Sequence, residues 1–341
     1  MNKTVSIIFI CLALLLCLIP SIGMLLGFES GAAANEILSP PPKPGLRMLN
    51  ELADYVADRF ALRQYCVSAW SFLNEKLLRS SADEQVLLGA DGFLYYSETL
   101  DDYTGVSLTD GELERIAQRL AALQRELEAQ GKAFVFTVAP NKNSLYPEAM
   151  PAAIENRHSG SNAVRLLLWL EQYGVHYADL FTPLSAELLY YRTDTHWTAR
   201  GAALGADTIL AALGRESAYA AHRFGEEGLH VGDLYEMLYP TGRGRESETV
   251  DLTGLRFTAQ GDVNGGNAVT IRTACAAGRG RLLCWRDSFG IALYPYLADA
   301  FESAVFSRAA DYDLSRFADE DYDAVVLEIV ERNLPRLLPE E

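Results

Sequence analysis

Residues 281–297 read RLLCWRDSFGIALYPYL and join two patterns that decide the fold. Residues 281–285 form a short apolar run of buried-strand type, and residues 290–301 have the composition of a helix. A strand that runs directly into a helix is typical of parallel sheets, because parallel strands need a crossover connection. Ser288 stands at this junction, which in a parallel sheet is the carboxyl edge where ligands bind.

The same alternation of helix and strand extends through the chain from residue 110 onward. Amphipathic spacing and Gly stops predict helices at 110–131, 161–174 and 199–214, the last with Thr198 as its N-cap. Short apolar runs predict strands at 132–140, 175–180, 303–308 and 322–330. This order predicts an α/β fold with a parallel sheet that helices cover on both faces.

The N-terminal segment predicts a membrane helix. Residues 5–27 contain no charge, and these 23 residues exceed the roughly 20 needed to cross a bilayer. Lys3 on the short leading side places the N-terminus in the cytoplasm and the bulk of the chain outside. A cleaved signal peptide is the alternative, because small residues follow at 31–34, but the length of the apolar run favours an uncleaved anchor.

Three segments follow from this division of the chain. Residues 1–27 are the anchor, residues 28–45 are a Pro-rich linker, and residues 46–341 are one large domain. Within this domain, residues 215–275 are Gly-rich and polar without a clear period, and we interpret them as an irregular insertion. Helical spacing also marks residues 46–80, through Leu49, Leu52, Val56, Phe60, Trp70, Leu73 and Leu77.

Charge and cysteine content exclude several classes of protein. The net charge is −17, and since Lys3 is the one charged residue before the linker, the rest of the chain carries −18. Such a field repels nucleic acid, so no nucleic-acid partner is expected. Cys66, Cys275 and Cys284 lie outside the apolar segment, an odd number that does not form a disulfide framework. A Cys275–Cys284 pair and buried free thiols both remain open.

Asp194 and His196, in TDTHWT at residues 193–198, stand directly before a predicted helix. In an extended segment, residues i and i+2 point the same way, so the carboxylate can orient the imidazole and leave its other nitrogen free as a base. On its own this pair is a weak signal, because a structural histidine before a helix is common.

Ser288 supplies the nucleophile that such a histidine would serve. A helix N-terminus beside it offers unpaired N–H groups for an oxyanion, and Gly290 allows close approach of the backbone. The alternative is that Ser288 or Asp287 only caps the helix. Asn141 and Lys142 follow the strand at 132–140 and should emerge on the same edge, where an amide donor is then available.

Other cofactor chemistries lack their sequence signatures. Outside the Asp194–His196 pair, no His or Cys spacing matches a zinc site, and no glycine-rich phosphate loop occurs in the sequence. We therefore expect neither a metal nor a cofactor.

Six short motifs together resemble a known family. They are GADGFLYY (89–96), PNKNSLYPE (140–148), TDTHWT (193–198), GDLYEML (232–238), RDSFG (286–290) and VVLEIVERNL (325–334). Their joint order resembles the SGNH hydrolase-like proteins of the alginate O-acetyltransferase AlgX/AlgJ type, including DHHW-type proteins. The resemblance covers about residues 46–335.

The resemblance implies a flavodoxin-like αβα sandwich outside the cytoplasmic membrane that transfers acetyl groups to exopolysaccharide hydroxyls. It implies an MBOAT-type membrane acyltransferase as the acetyl-donating partner. The family's catalytic Asp, His and Ser fall on Asp194, His196 and Ser288, and Asn141 is a weaker choice for the oxyanion amide. Arg286 departs from the family's usual Gly at this position.

The sequence therefore predicts a membrane-anchored, extracytoplasmic O-acetyltransferase with a Ser-His-Asp triad and a cell-surface polysaccharide as acceptor. Weaker candidates for oxyanion or substrate contacts are Lys142, Arg286, Gly290 and Trp197, the last of which could line a sugar site or only pack. Two alternatives stay open. One is an acetylesterase that uses the same three residues, and the other is a non-catalytic scaffold of a polysaccharide export complex.

Overall fold

The computed structural model describes residues 3–32, 37–105, 108–157, 160–221, 227–249, 254–309, 314–317 and 320–338. The chain separates into two compact units. The N-terminal unit comprises residues 1–88 and 231–245, and the catalytic-candidate unit, called the sheet unit below, comprises residues 89–230 and 246–341.

The strands, in chain order, are β1 Val86–Leu88, β2 Leu94–Tyr96, β3 Ala133–Ala139, β4 Tyr177–Ala178, β5 Glu227–His230, β6 Glu246–Thr249, β7 Thr258–Gln260, β8 Thr270–Ala274, β9 Arg281–Trp285, β10 Ser303–Ser307 and β11 Ala324–Val330. The helices are α1 Lys3–Leu25, α2 Met48–Arg59, α3 Arg63–Leu73, α4 Leu100–Tyr103, α5 Asp110–Ala129, α6 Lys142–Leu145, α7 Asn162–Tyr173, α8 Phe181–Leu184, α9 Ala199–Ala212, α10 Asp233–Leu238 and α11 Gly290–Ala300.

A seven-stranded sheet in the order β4-β3-β11-β9-β10-β8-β7 forms the centre of the sheet unit. The first five strands are parallel, and β8 and β7 extend the sheet in antiparallel fashion. Every residue of β11 is buried, so helices cover both faces of the sheet. The predicted α/β fold with a parallel sheet is confirmed, with the addition of an antiparallel edge.

The core beside α5 and α7 shows why these strands pack as they do. Phe134, Phe136 and Val138 alternate along β3 and join one apolar cluster with Leu113 and Leu166. On the other side of the sheet, α9 contacts β3 and β4, and α11 contacts β8 and β10. Each buried large apolar side chain contributes about 1.5–3 kcal/mol to the fold, so the apolar runs direct the sheet to the interior.

The predicted helices of the sheet unit are confirmed together with their end signals. Thr109 and Glu112 form a capping box at the start of α5. The Ser161 hydroxyl accepts from Val164 N at the start of α7, which ends at Gly174 in the left-handed conformation (φ 67°). The Thr198 hydroxyl accepts from Gly201 N at the start of α9. Local side-chain chemistry therefore defines these boundaries.

The interpretation of 215–275 as an irregular insertion is wrong for its described residues. They contain α10 and strands β5 to β8, of which β7 and β8 belong to the main sheet. These strands are three to five residues long, too short to show a clear period in the sequence. Residues 222–226 and 250–253 of this segment lie outside the described residues.

The prediction that residues 46–341 form one domain also needs correction. Residues 46–88 belong to the N-terminal unit, and residues 231–245 join them there. Polar contacts fasten this second segment, because the Tyr239 hydroxyl bonds the Glu75 carboxylate and Thr241 N donates to the Ser68 hydroxyl at 3.2 Å. A sequence pattern cannot reveal such pairing between residues more than 160 positions apart.

Helix α1 is 23 residues long with a mean hydropathy of 2.9, which is long and apolar enough to cross a membrane. A signal sequence near an N-terminus has the same properties, so its cleavage stays open. In the predicted linker, residues 28–32 and 37–45 contain neither helix nor strand, and residues 33–36 lie outside the described residues. Cys275 and Cys284 are buried free thiols, which answers the open question of their pairing.

Glu328 is an acidic residue inside the buried strand β11, with 1% of its surface exposed. Its carboxylate accepts from Asp287 N at 3.1 Å. Burial, together with the neighbouring Asp287 carboxylate, raises the pKa of Glu328 well above its ordinary value. The folded state therefore keeps a proton that the unfolded state releases above the ordinary pKa of 4.5. Stability is lost as the pH rises through this range.

Glu328→Gln should remove this pH dependence. The free energy of unfolding of the variant, relative to wild type, should increase from pH 5 to pH 8, because the amide never ionises. Urea unfolding at several pH values measures this difference. Glu126→Gln, on the exposed side of α5, is the control. If the difference in free energy of unfolding between Glu328→Gln and wild type stayed constant with pH, it would contradict the raised pKa of Glu328.

Candidate active site

The carboxyl ends of three neighbouring strands meet at one edge of the sheet. Ala139 of β3 lies opposite Val330 of β11, and Leu327 of β11 lies opposite Trp285 of β9. The segments after these strands therefore leave the sheet on the same side. They carry Asn141, Glu331 and residues 286–288, and this edge is called the rim below.

Ser288, His196 and Asp194 form a continuous hydrogen-bonded chain beside the rim. His196 Nε2 lies 2.9 Å from the Ser288 hydroxyl, and His196 Nδ1 lies 2.7 Å from Asp194 Oδ1. About a quarter of the His196 side chain is exposed (27%), whereas the Asp194 side chain is buried (5%). The arrangement lets Nδ1–H donate to the carboxylate while Nε2 accepts from the serine hydroxyl.

Asp194 reaches His196 by a different route from the predicted one. The loop at 191–196 is bent rather than extended, and Asp194 Oδ1 also accepts from His196 N at 2.8 Å. This is the turn that Asp side chains form with the backbone two residues later. The two residues therefore meet because the Asp194 side chain forms a turn with the backbone of His196, and not because their side chains point to the same face of a strand.

His230, at the end of β5, is a second histidine on the same carboxylate. Its Nε2 lies 2.7 Å from Asp194 Oδ2, and its ring stacks on Tyr191 with the ring centres 3.9 Å apart. Sequence analysis missed this residue, because it lies 36 positions from Asp194 in the segment interpreted as irregular. Its position two residues before the family-like GDLYEML motif was the one available signal.

The two histidines determine the ionisation of Asp194. Burial alone would raise the pKa of this carboxyl, but hydrogen bonds from His196 and His230 outweigh it and hold the pKa well below its ordinary value of 3.8. Asp194 is therefore a carboxylate at neutral pH and in mild acid. It can hold the His196 ring in one tautomer.

The side chain of Asp287, rather than that of Ser288, fixes the backbone around the serine. Asp287 Oδ1 accepts from Phe289 N at 2.9 Å, and Asp287 Oδ2 accepts from Val330 N at 2.7 Å. The second of these bonds ties the end of β9 to the end of β11. Phe289 is the N-cap of α11, so neither Ser288 nor Asp287 is the cap residue itself. The Ser288 hydroxyl points to His196 at the entrance of the helix.

Lys142 was predicted as an oxyanion or substrate contact, and the structure places it in a structural position. The side chain is buried (4% exposed), and Nζ donates to the carbonyl oxygens of Tyr191 (3.1 Å), Arg192 (2.8 Å) and Asp194 (2.5 Å). All three Nζ hydrogens are thus accounted for. The lysine therefore supplies donors to the carbonyl groups of the bent 191–196 loop, of which Arg192 O also accepts from Leu94 N of β2 at 2.8 Å.

Arg286 and Gly290 likewise serve the scaffold. The buried Arg286 guanidinium donates from Nη2 to the carbonyl oxygens of Gly266 (2.6 Å) and Ala268 (3.2 Å). A Cβ at Gly290 would lie 2.5 Å from the Arg286 Cβ, so glycine is required for close packing. Both residues thus have a scaffold role, and their predicted substrate contacts stay predictions.

Trp197 does not line an open site. Its side chain is 1% exposed, and Nε1 donates to the Phe289 carbonyl at 3.1 Å. Its ring packs edge-on against Tyr190 and Phe289. The packing alternative is the correct one, because the indole connects the His196 loop to the start of α11.

Asn141 lies at the rim where the sequence placed it. Its backbone N donates to Glu331 at 2.9 Å, and the Ser144 hydroxyl donates to the same Glu331 oxygen at 2.6 Å. The Asn141 side chain is buried, and among the described residues its Oδ1 has no hydrogen-bond partner. A buried carboxamide with this free capacity is available to a bound molecule or water.

A small pocket of about 10 Å³ lies between the 191–196 loop and the segment after β11. Its lining residues are Tyr95, Tyr96, Thr99, Asn141, Lys142, Asn143, Thr195 and Arg332. The Arg332 guanidinium lies 5.8 Å from the centre of the Phe289 ring, which itself lies 4.7 Å from the His196 ring. The pocket has polar walls and room for about one water molecule.

A hydroxyl, an imidazole and a carboxylate in series at the edge of a mostly parallel sheet form an arrangement that recurs on several unrelated α/β folds, and the family match identifies this one as SGNH hydrolase-like. The chain belongs to the family described as SGNH hydrolase-like domain, acetyltransferase AlgX, whose sequence profile matches residues 86–264, just over half of the chain. The resemblance inferred from the six motifs is confirmed. The matched range includes Asp194 and His196, and Ser288 lies beyond it.

One relative is the probable alginate O-acetylase AlgJ of Pseudomonas syringae pv. tomato, which is 30% identical over 170 residues. The alignment covers 47% of this chain and 41% of the relative, so the matched part spans less than half the relative's length.

Two solved structures share the fold. PatB1 of Bacillus cereus, with a sulfonyl adduct, has a TM-score of 0.55 at 18% identity and covers 73% of this chain and 97% of PatB1. A DHHW family protein from Eubacterium siraeum has a TM-score of 0.53 at 16% identity and covers 75% of this chain and 95% of that protein. Together with the family match, they confirm the predicted SGNH hydrolase-like fold.

Lys142→Met should destabilise the sheet unit and release the 191–196 loop. The methionine fills a similar volume but removes the Nζ donor from the carbonyl oxygens of Tyr191 and Asp194, whereas Arg192 O keeps its bond from Leu94 N at 2.8 Å. We expect a cost of roughly 2–3 kcal/mol in the free energy of unfolding. Urea unfolding followed by circular dichroism measures this cost. Lys132→Met is the control, since Lys132 Nζ lies over the Tyr322 ring instead. Equal losses in both variants would contradict the structural role of Lys142.

His230→Phe tests the second histidine, because phenylalanine keeps the ring on Tyr191 but removes the bond to Asp194. The free energy of unfolding at pH 7 should fall by about 1–3 kcal/mol relative to wild type. Asp194 has a lowered pKa, so this contribution is present above the ordinary carboxyl pKa and is lost as the pH falls through the folded-state value. The deficit should therefore shrink in acid.

His176→Phe is the matched control for this measurement. His176 is mostly exposed (63%), and its Nδ1 lies 3.9 Å from a Glu128 carboxylate that is itself 44% exposed. Exposed pairs contribute little, so its effect should be small at every pH. A His230→Phe deficit that does not change between pH 7 and acid would show that His230 supports the fold by packing alone.

Proposed function

We propose that this protein is an O-acetyltransferase that carries an acetyl group on Ser288 and passes it to a hydroxyl of a cell-surface polysaccharide. The observation that carries the proposal is the hydrogen-bonded chain Ser288–His196–Asp194, with distances of 2.9 and 2.7 Å. Membership of an acetyltransferase family supports the choice of the acetyl group.

In the first half-reaction, Ser288 Oγ attacks the carbonyl carbon of an acetyl donor. His196 Nε2 takes the hydroxyl proton, and the Asp194 carboxylate stabilises the charged ring. The bond to the leaving group breaks, and His196 returns the proton to that group. An acetyl ester on Ser288 remains.

In the second half-reaction, a sugar hydroxyl attacks the acetyl carbonyl, and His196 accepts its proton. The Ser288 ester bond breaks, the serine oxygen recovers the proton, and the acetyl group leaves on the sugar. The start of α11 lies beside Ser288, so its N–H groups favour the oxyanion of both steps. We assign the Asn141 amide as a further donor.

The net charge of the chain supports a choice of acceptor, and helix α1 supports a location. The AlgJ relative is named for alginate, but the −18 charge outside the apolar segment opposes a strongly anionic polymer. A neutral or zwitterionic glycan suits this field better. Helix α1 would anchor the chain in the cytoplasmic membrane with the sheet unit outside. An MBOAT-type membrane acyltransferase would then supply the acetyl group across the membrane.

The first test is intact-mass spectrometry of the full chain in detergent after incubation with p-nitrophenyl acetate. Wild type and the control Ser185→Ala, an exposed serine, should gain one acetyl group, and Ser288→Ala should gain none. Asp194→Asn should form the adduct about 10⁴-fold more slowly, because the histidine loses its orienting carboxylate. An adduct that persists in Ser288→Ala, or no adduct on folded wild type, would refute the acyl-serine step.

The acceptor is tested with the same acetylated protein. Addition of neutral and of anionic oligosaccharides should yield acetylated sugar, with the neutral one favoured. Release of free acetate alone would instead identify an esterase that uses the same three residues. Acetylation of the polymer by cells that carry Ser288→Ala would favour a non-catalytic scaffold.

A further inference from the structure

Helices α2 and α3 of the N-terminal unit expose large apolar side chains in regular stripes. Leu49, Leu52 and Val56 follow helical spacing along α2, which has no buried residue among its twelve. On α3 and the turn after it, Trp70, Leu73 and Leu77 continue the pattern, and they are 47–74% exposed. These six residues are called the apolar face below.

The orientation of α3 is the reverse of that expected for a helix on a soluble protein. Its buried side is polar, since Ser71 is 3% exposed and Asn74, directly after it, is 7% exposed. Trp70 and Leu73, adjacent in sequence to these residues, face outward. Soluble helices bury their apolar side, so this pattern indicates apolar surroundings outside the protein.

Polar contacts within the N-terminal unit hold α3 in this orientation. The Ser68 hydroxyl bonds the Thr241 hydroxyl at 2.9 Å, and the Glu75 carboxylate bonds the Tyr239 hydroxyl. The helix therefore cannot turn its apolar face inward without breaking these bonds.

The apolar face adjoins the end of the membrane-spanning candidate α1. Ser30 N donates to Arg59 O at 3.1 Å, and Gln64 Nε2 donates to Gly31 O at 3.2 Å, which ties the exit of α1 to the corner between α2 and α3. In the last turns of α1, a Cβ at Gly23 would lie 2.4 Å from the Ala61 Cβ. The corner thus packs against the end of the apolar helix.

The charge of this region also differs from that of the rest of the chain. Residues 43–79 contain six Lys or Arg residues and four Asp or Glu residues, a net charge of +2 in a chain of −17. A region without net negative charge is not repelled by anionic lipid head groups. Trp and Tyr side chains favour the boundary between head groups and acyl chains, and Trp70 and Tyr65 are both exposed here.

We propose that the apolar face lies in the interfacial layer of the lipid bilayer, so that α2 and α3 form a second membrane contact beside α1. The proposal rests on the anchoring role of α1 in the proposed function. The occupant is lipid, since the face continues directly from the exit of the spanning helix. Trp70 of the face, together with the six Lys or Arg residues of the surrounding segment 43–79, matches the composition of helices that lie in the membrane plane.

Cys66 provides a site for the test, since it is an exposed cysteine on the outer side of α3. In the full chain with Cys11→Ser and Cys17→Ser, Cys66 would carry an NBD fluorophore, and the protein would be reconstituted into phosphatidylcholine–phosphatidylglycerol vesicles. Doxyl groups placed high on the lipid chains and aqueous cobalt ions are the two quenchers. A label at Glu126→Cys, in a Cys66→Ser background, is the control on the sheet unit.

The Cys66 label should lose most of its emission to the lipid quencher and little to cobalt, and the control label should do the reverse. The double variant Leu73→Glu with Leu77→Glu, both at exposed positions, should make the Cys66 label accessible to quenching by cobalt. Strong quenching of the Cys66 label by cobalt in wild type would overturn the inference. A label shielded from both quenchers would also overturn it, since the face would then bind another copy of the chain.

Flotation of the labelled vesicles separates this inference from the proposed anchor. If the full chain does not float with lipid, α1 is not an anchor and the inference fails with it. If the chain floats but the lipid quencher leaves Cys66 unaffected, the anchor stands and only the interfacial contact is refuted. The acyl-serine measurement in detergent is independent of both outcomes.

Discussion

The parallel pairing of β3, β11 and β9 is the constraint on which the candidate site depends. Strands in this register must end at the same edge, so the chain after Ala139, Trp285 and Val330 emerges within a few residues of one place. Ser288 gains its position in this way, three residues beyond β9. The histidine and aspartate come from a loop that lies outside the main sheet, and this loop needs separate support.

That support comes from buried polar side chains rather than from more strand pairing. Lys142 satisfies three carbonyl groups of the 191–196 loop, and Asp287 and Glu331 bind backbone N–H groups across neighbouring strand ends. An irregular segment that is buried must find partners for its backbone groups. Charged residues near a site therefore serve its scaffold as readily as its substrate, and sequence patterns do not distinguish these uses.

The two units use apolar periodicity in opposite ways. In the sheet unit, the periodic residues of α5 and α7 pack into the core. In α2 and α3, the periodic residues are exposed, whereas the polar residues Ser71 of α3 and Asn74 directly after it are buried. Helical spacing predicts that one side of a helix meets an apolar environment, but it does not specify whether that environment is protein or lipid. The proposed bilayer contact would account for both patterns by the same hydrophobic effect.

The sequence alone determined the long helices α5, α7, α9 and α11 and the parallel strands of the sheet unit, because local patterns report burial and end signals report boundaries. It did not reveal the short strands β5 to β8. It did determine the apolar segment and the grouping of Asn141, His196 and Ser288 at one edge. Their catalytic roles remain predictions. Only the tertiary structure decided that Lys142 and Arg286 bind backbone carbonyls, that Trp197 is buried and that His230 shares Asp194. Such contacts join residues 18 to 52 positions apart, and the packing of the whole unit, not any local pattern, sets those distances.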